Sequence, residues 1–152
     1  MQISSPAFRF GEAIPKKYTC DGEDVSPPLT IADVPPNAKA LVLIMEDPDA
    51  PIGVFTHWVL YNVPPTLTAL PEGVPKRPEV TGVGLQGVND FGRVGYGGPC
   101  PPRGHGPHRY FFRLYAIDVQ LQLPPRARKD DVLAAIKGRV LAQTEYMGTY
   151  KR

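Results

Sequence analysis

Apolar residues fall along this chain in patterns that mark strands. Residues 40–47, ALVLIMED, are apolar at six successive positions and end on two acids. A continuous apolar run of that length marks a strand buried on both faces. Residues 56–63, THWVLYNV, read as a second strand, closed by Pro64-Pro65. In residues 110–119, YFFRLYAIDV, Phe112, Leu114 and Ala116 alternate with Phe111, Arg113, Tyr115 and Ile117, the two-residue period of a strand with one strongly apolar face. A four-residue spacing occurs once, in Val132, Ile136 and Val140 with Leu133 and Leu141 beside them, after an acidic start at Asp130. That predicts a helix over 130–141 outside the sheets, weakened by Gly138 by about 1 kcal/mol relative to alanine, and a last strand over 144–150.

Between these elements the chain is punctuated by proline and glycine. The densest stretch is YGGPCPPRGHGPHRY, residues 96–110. Proline lacks an amide donor and glycine loses the most backbone entropy, so this is a stiff loop and not a helix. It carries His105, His108 and Arg109 into the strand that follows. An antiparallel pairing of 40–47 with 56–63 brings His57 near Asp47 or Asp49, in DPDAP at the strand's end. Residues 18–29, YTCDGEDVSPPL, read either as a plain surface loop or as a segment bringing Tyr18 and Cys20 to the 96–110 loop. Gly82-Val-Gly84-Leu-Gln-Gly87 matches GxGxxG but opens no helix, so a dinucleotide site is rejected. Asp90-Phe91-Gly92 spells a kinase motif without a catalytic loop or room for that fold; residues 89–92 are read as a turn bracing the central loop.

Composition narrows the class. A chain of 152 residues is most simply one domain, 1–152. Nineteen prolines and fifteen glycines stay below the combined share of roughly 25–30% seen in low-complexity chains, so the fold is expected to be globular and mostly β. A net charge of +2 without a long basic run disfavours nucleic acid. No run of about 18 apolar residues and no signal-like core near the start occurs, so no transmembrane segment is expected and a cytoplasmic location is. Whether Cys20 and Cys100 pair is left open.

Asp47, Asp49, His57, His105, His108, Arg109 and Tyr110 fall at strand ends or between strands. Imidazoles, a guanidinium and a phenol suit a small anion such as phosphate or carboxylate. Two alternatives use the same residues. His105 and His108 with His57 and an aspartate are metal-ligand types, although a Gly-Pro loop does not set two histidines on one helix face. Cys100 or Cys20 with His108 and Asp47 resembles the parts of a cysteine hydrolase. No catalytic constellation is convincing, no cofactor is implied, and an enzyme is not expected.

DPDAP at 47–51, HWVLYNVP at 57–64, NDFG at 89–92 and YGGPCPPRGHGPHRYFFRLYAID at 96–118 together resemble the phosphatidylethanolamine-binding protein family. They are most similar to its bacterial and archaeal, Raf-kinase-inhibitor-like branch, with Ile31 favouring an archaeal-type member. The resemblance implies a mostly β, antiparallel sandwich with one or two peripheral helices and a small cavity at one edge. It places the ligand pocket on Asp47, His57, His108 and Tyr110, with Asp49, Pro99 and Pro101 shaping the wall. Around GGPCPP the spacing departs from the eukaryotic one, so the pocket glycine falls on Gly98 or its place is taken by Cys100. The implied function is binding of a small phosphorylated or anionic ligand, with modulation of a kinase or protease. The alternative is a protease inhibitor or other interaction protein acting through its surface. On this reading alanine at Asp47 abolishes binding at little cost in stability.

Overall fold

The computed structural model describes residues 1–152. Its elements are β1 (Gln2–Ser4), a 3-10 turn (Lys16–Tyr18), β2 (Leu29–Ala32), β3 (Ala40–Asp47), β4 (Phe55–Val63), β5 (Ala69–Leu70), β6 (Glu79–Val80), β7 (Gly84–Gln86), β8 (His108–Ile117), α1 (Lys129–Ile136) and β9 (Val140–Tyr150). Strands β6, β7, β4, β3, β8 and β9 form a six-stranded sheet in that order, and β1, β2 and β5 a three-stranded one. Every strand pairing in both sheets is antiparallel.

The apolar run of β3 is explained by its central place. Leu41, Leu43 and Met45 enter a core shared with Trp58, Phe112 and Leu114, and with Ile3, Leu29, Ile31 and Leu70 of the small sheet. Ala40, Val42 and Ile44 enter a second core with Val59, Tyr61, Ile117, Val132 and Ile136. The small sheet therefore covers one face of the large sheet and α1 covers the other. Each fully buried aliphatic side chain stabilises by about 1.5–3 kcal/mol, so β3, covered on both faces and paired on both edges, anchors the fold.

The helix is shorter than its spacing predicts. It ends at Ile136, and Gly138 turns the chain at φ +78°. Val140 and Leu141 already belong to β9, which pairs with β8 from Val140–Ile117 to Tyr150–His108. The apparent continuation from Ile136 to Val140 crosses a glycine in a left-handed conformation, where the helical period no longer applies. The last strand accordingly starts four residues before the predicted 144. At the helix start, Asp131 Oδ2 accepts from Arg128 N at 3.1 Å, and Asp130 and Asp131 suit the positive end of the helix dipole.

Residues 18–24 are tied to the central loop and do not form a free surface loop. Tyr96 Oη donates to Tyr18 O at 2.7 Å, Gly98 N donates to Asp24 Oδ1 at 2.7 Å, and Cys20 N donates to Pro99 O at 3.1 Å. A disulfide joins Cys20 to Cys100. The 89–92 turn braces the same loop: Asn89 Nδ2 donates to Gly95 O at 2.9 Å, and the Phe91 ring lies where a side chain at Gly97 would stand.

Candidate functional site

Three ends of central strands meet at one end of the large sheet. Asp47 ends β3, His57 and Phe55 open β4, and His108 and Tyr110 open β8. Successive same-face positions put His108 and Tyr110 on one side of β8. His57 arrives differently. The β3–β4 register slips between the pairs Met45–Trp58 and Glu46–Thr56, leaving His57 as the extra residue of a β-bulge. A bulge re-aims the side chain it carries, and here it carries the buried His57.

These residues border a cavity of about 310 Å³. Its polar lining is Asp47, His57, His108 and Tyr110; its apolar wall includes Phe55, Phe91, Pro101, Pro102 and Ile52, with Cys100 also at the wall. The structure thus gathers five of the seven predicted pocket residues around one space. Asp49 and Gly98 are not among its lining. Asp49 is held by Arg109 instead, accepting from its backbone N at 3.0 Å, from Nε at 2.9 Å and from Nη2 at 2.9 Å. That pairing lowers the Asp49 carboxyl to about 2. Gly98 faces the 18–24 segment, where a side chain would meet Tyr18 O and Asp24. Cys100 stands at the cavity wall in its place, and Pro99 supplies a carbonyl to Cys20.

The hydrogen bonds define what the site offers. His57 is 3% exposed, and its Nδ1 donates to Gly97 O at 2.6 Å. Gly97 N returns a bond to His57 O at 2.9 Å, so ring and loop clamp each other. Burial lowers the His57 pKa below the ordinary imidazole value, against the smaller opposing effects of Gly97 and of the Asp47 charge. With Nδ1 spent on a carbonyl, Nε2 of the neutral ring is an acceptor. The ring packs edge-on against Tyr110 at 5.2 Å and Phe91 at 5.4 Å. Asp47 accepts from Asp49 N at 2.7 Å through Oδ1 and from His108 Nδ1 at 2.7 Å through Oδ2. Tyr110 is fully buried; burial first, and the Asp47 charge second, push its hydroxyl far above the usual range, so it stays protonated.

His105 was not placed in the pocket by the family resemblance, yet its Nδ1 lies 2.6 Å from His108 Nε2. The two imidazoles face each other through that hydrogen bond. Both cysteines are bonded, so neither is a free thiol. The apolar wall of Phe55 and Phe91 also went unnoticed in the sequence; the only signal was an aromatic within each of two turn-flanked segments.

The sequence matches the phosphatidylethanolamine-binding protein family over residues 4–151, and the chain belongs to that family. It is 58% identical to a UPF0098 protein of Aquifex aeolicus over 100% of this chain and 89% of that one. It is 51% identical to a UPF0098 protein of Pyrococcus horikoshii over 100% of this chain and 77% of that one. Among solved structures, a phosphatidylethanolamine-binding protein homologue of Chlamydia trachomatis superposes with a TM-score of 0.91 at 44% identity, covering 99% of this chain and 97% of that one. YbcL of E. coli, described as a member of the mammalian family, superposes with a TM-score of 0.88 at 31% identity, covering 99% and 98%. No helix is long and apolar enough to cross a membrane.

Proposed function

We propose that this member of the phosphatidylethanolamine-binding protein family is a binding module that takes a small phosphorylated or otherwise anionic ligand into the cavity, with proton uptake linked to binding. The observation that carries this reading is the meeting of His57, His108 and Tyr110 around Asp47 inside an apolar wall. In the neutral state His57 Nε2 is an acceptor, and His108 Nε2 is occupied by His105. An anion gains a charged donor when His57 takes a proton, whereas a protonated phosphate donates its own hydroxyl to the neutral Nε2. Charged hydrogen bonds are roughly twice as strong as neutral ones, and the apolar wall strengthens them further. Burial resists that protonation and a bound anion favours it. The site is read as non-catalytic: Tyr110 holds its proton, and both cysteines are bonded.

The test is titration calorimetry with sulfate, which keeps its charge across the range in which histidine titrates. Sulfate is expected to bind more tightly at about pH 5.5 than at about pH 7.5, with proton uptake visible in buffers of different ionisation enthalpy. Equal affinity at both pH values in wild-type protein sinks the proposal.

A second reading, a protease inhibitor or kinase modulator acting through its surface, is favoured by one observation. Ile52 is 95% exposed and Val54 52% exposed on the 48–54 loop beside the cavity mouth. Inhibition that survives loss of His57 but not Ile52→Asp with Val54→Asp would support it. A cytoplasmic location, without nucleic acid or cofactor as partner, completes the proposal.

A further inference from the structure

Three histidines occur in this chain, and only His105 is both exposed and left with an unpaired ring nitrogen. Asp47 has acceptors alone when ionised, so His108 Nδ1, 2.7 Å from its Oδ2, carries a proton. Neutral His108 then has a bare Nε2. The proton in the 2.6 Å contact with His105 therefore belongs to His105 Nδ1. Neutral His105 has no second proton, and its Nε2 is left with a free lone pair. His105 is exposed, between Gly104 and Gly106, both at positive φ. Its two supports are not: Asp47 is 3% and His108 2% exposed, and each holds the other in a single orientation.

We propose that His105 Nε2 is a nucleophilic modification site that accepts a phosphoryl group from small donors of the phosphoramidate class. The Nε2 lone pair attacks phosphorus as the bond from phosphorus to the donor nitrogen breaks. The electron pair of that bond leaves with the nitrogen, already protonated in the zwitterionic donor, as ammonia. The positive charge created on the His105 ring is discharged by passing its Nδ1 proton to His108 Nε2. The Asp47 carboxylate, already bonded to His108 Nδ1, stabilises the resulting imidazolium. No oxidant, metal or cofactor enters the balance, and the product is phosphohistidine.

A neutral nucleophile approaches a phosphoryl dianion without the charge repulsion that a carboxylate meets, and the imidazolium formed on His108 lies beside the new anionic group. His57 lacks the same capacity. It is buried, and its Nδ1 faces the Gly97 carbonyl, which accepts a hydrogen bond but not a proton. His108 has both ring nitrogens occupied. The inference does not rest on ligand binding, because His105 is not part of the cavity lining.

Potassium phosphoramidate is the probe. Phosphorus-31 NMR follows the rate, and tandem mass spectrometry under alkaline conditions maps the site. One acid-labile phosphoryl group is expected on His105 of the wild-type protein, and none in His105→Asn. His108→Phe and Asp47→Asn are expected to slow labelling by about a hundredfold, the lower side of what a positioned base contributes. Nitrogen-15 NMR of the unmodified wild-type protein gives a readout that no variant's folding can obscure: His105 should carry its proton on Nδ1. Absence of labelling, unchanged rates in both variants, equal labelling of His57, or a proton on His105 Nε2 would each overturn the proposal. A failure of sulfate to bind would leave it standing.

Discussion

Cys20 and Cys100 are joined by a disulfide across 80 positions of sequence, and Cys100 is also part of the cavity wall. The bond therefore couples the stability of the fold to the shape of the site. On the chain-entropy account, closing a loop of that length is worth roughly 4–5 kcal/mol. Reduction is expected to lower the unfolding free energy by that order and to weaken sulfate binding by loosening Pro101 and Pro102. Urea titrations with and without dithiothreitol check the first part, and calorimetry the second. Equal urea midpoints would show that the hydrogen bonds to Tyr18 and Asp24 hold the loop unaided. Such bonds persist in oxidising compartments and, inside cells, chiefly in hyperthermophiles, so thiol trapping of the protein from its native host bears directly on the proposed cytoplasmic location.

His57 gives stability a pH dependence of definite sign. Its folded pKa lies below the unfolded value of about 6.5 because burial disfavours the charged ring. Above about pH 6.5 both states are neutral and the stability is fully present. As pH falls below that value the unfolded chain takes up the proton first, and stability is lost until the folded value is reached. Urea midpoints are expected to drop between about pH 7 and about pH 5, and His57→Phe should flatten that part of the profile. Saturating sulfate should offset the drop in wild type, since the anion favours the charged ring.

Much of this arrangement was legible in the sequence, for identifiable reasons. The run from Ala40 to Met45 announced a doubly covered strand because burial on both faces leaves no polar position to interrupt it. The alternation from Tyr110 to Ile117 announced a strand because one face meets the core. Asp47, His57, His108 and Tyr110 come to line one cavity because DPDAP, the His57 strand and the His108 strand all end together, whereas Pro101 was placed there by the family resemblance alone. What stayed hidden depends on contacts between distant segments. The bulge at His57 leaves no trace in composition. Cys20 and Cys100 show no spacing that demands a bond, and the partner of Gly98 is a side chain 74 positions away. The helix boundary failed at Gly138 because apolar spacing cannot report where the backbone turns.

Gly98 separates a packing role from a ligand role. A methyl group there would meet the Tyr18 carbonyl and the Asp24 carboxylate, and both belong to the segment held by the disulfide. Gly98→Ala is expected to cost about 1–3 kcal/mol, as overpacking does, through displacement of the 18–24 segment. Thermal denaturation measures that cost. A ligand-lining glycine would show the opposite result, unchanged melting with altered sulfate affinity.

Asp47 is the most informative single position, and the structure revises what its removal should do. As an acid at a strand's end it looked replaceable at little cost. In the fold it is buried and accepts from Asp49 N and His108 Nδ1. Alanine would leave both donors without a partner in a nearly dry site, at about 1–3 kcal/mol for each unsatisfied group. Asp47→Ala is therefore expected to lose stability as well as binding, and by itself it cannot assign a role. The substitution Asp47→Asn keeps the size and one acceptor oxygen while removing the charge. If Asp47 serves the ligand by fixing His108, Asp47→Asn should fold with a midpoint near wild type, and His108 should lose its single tautomer in nitrogen-15 NMR. Removing a carboxylate from beside the anion acts in the opposite direction, by reducing repulsion. Sulfate affinity in Asp47→Asn decides between them: a fall of about tenfold or more means that orienting His108 outweighs the repulsion, while a rise means that Asp47 restrains anion entry and the ligand's own positive or hydrogen-donating group is what it meets.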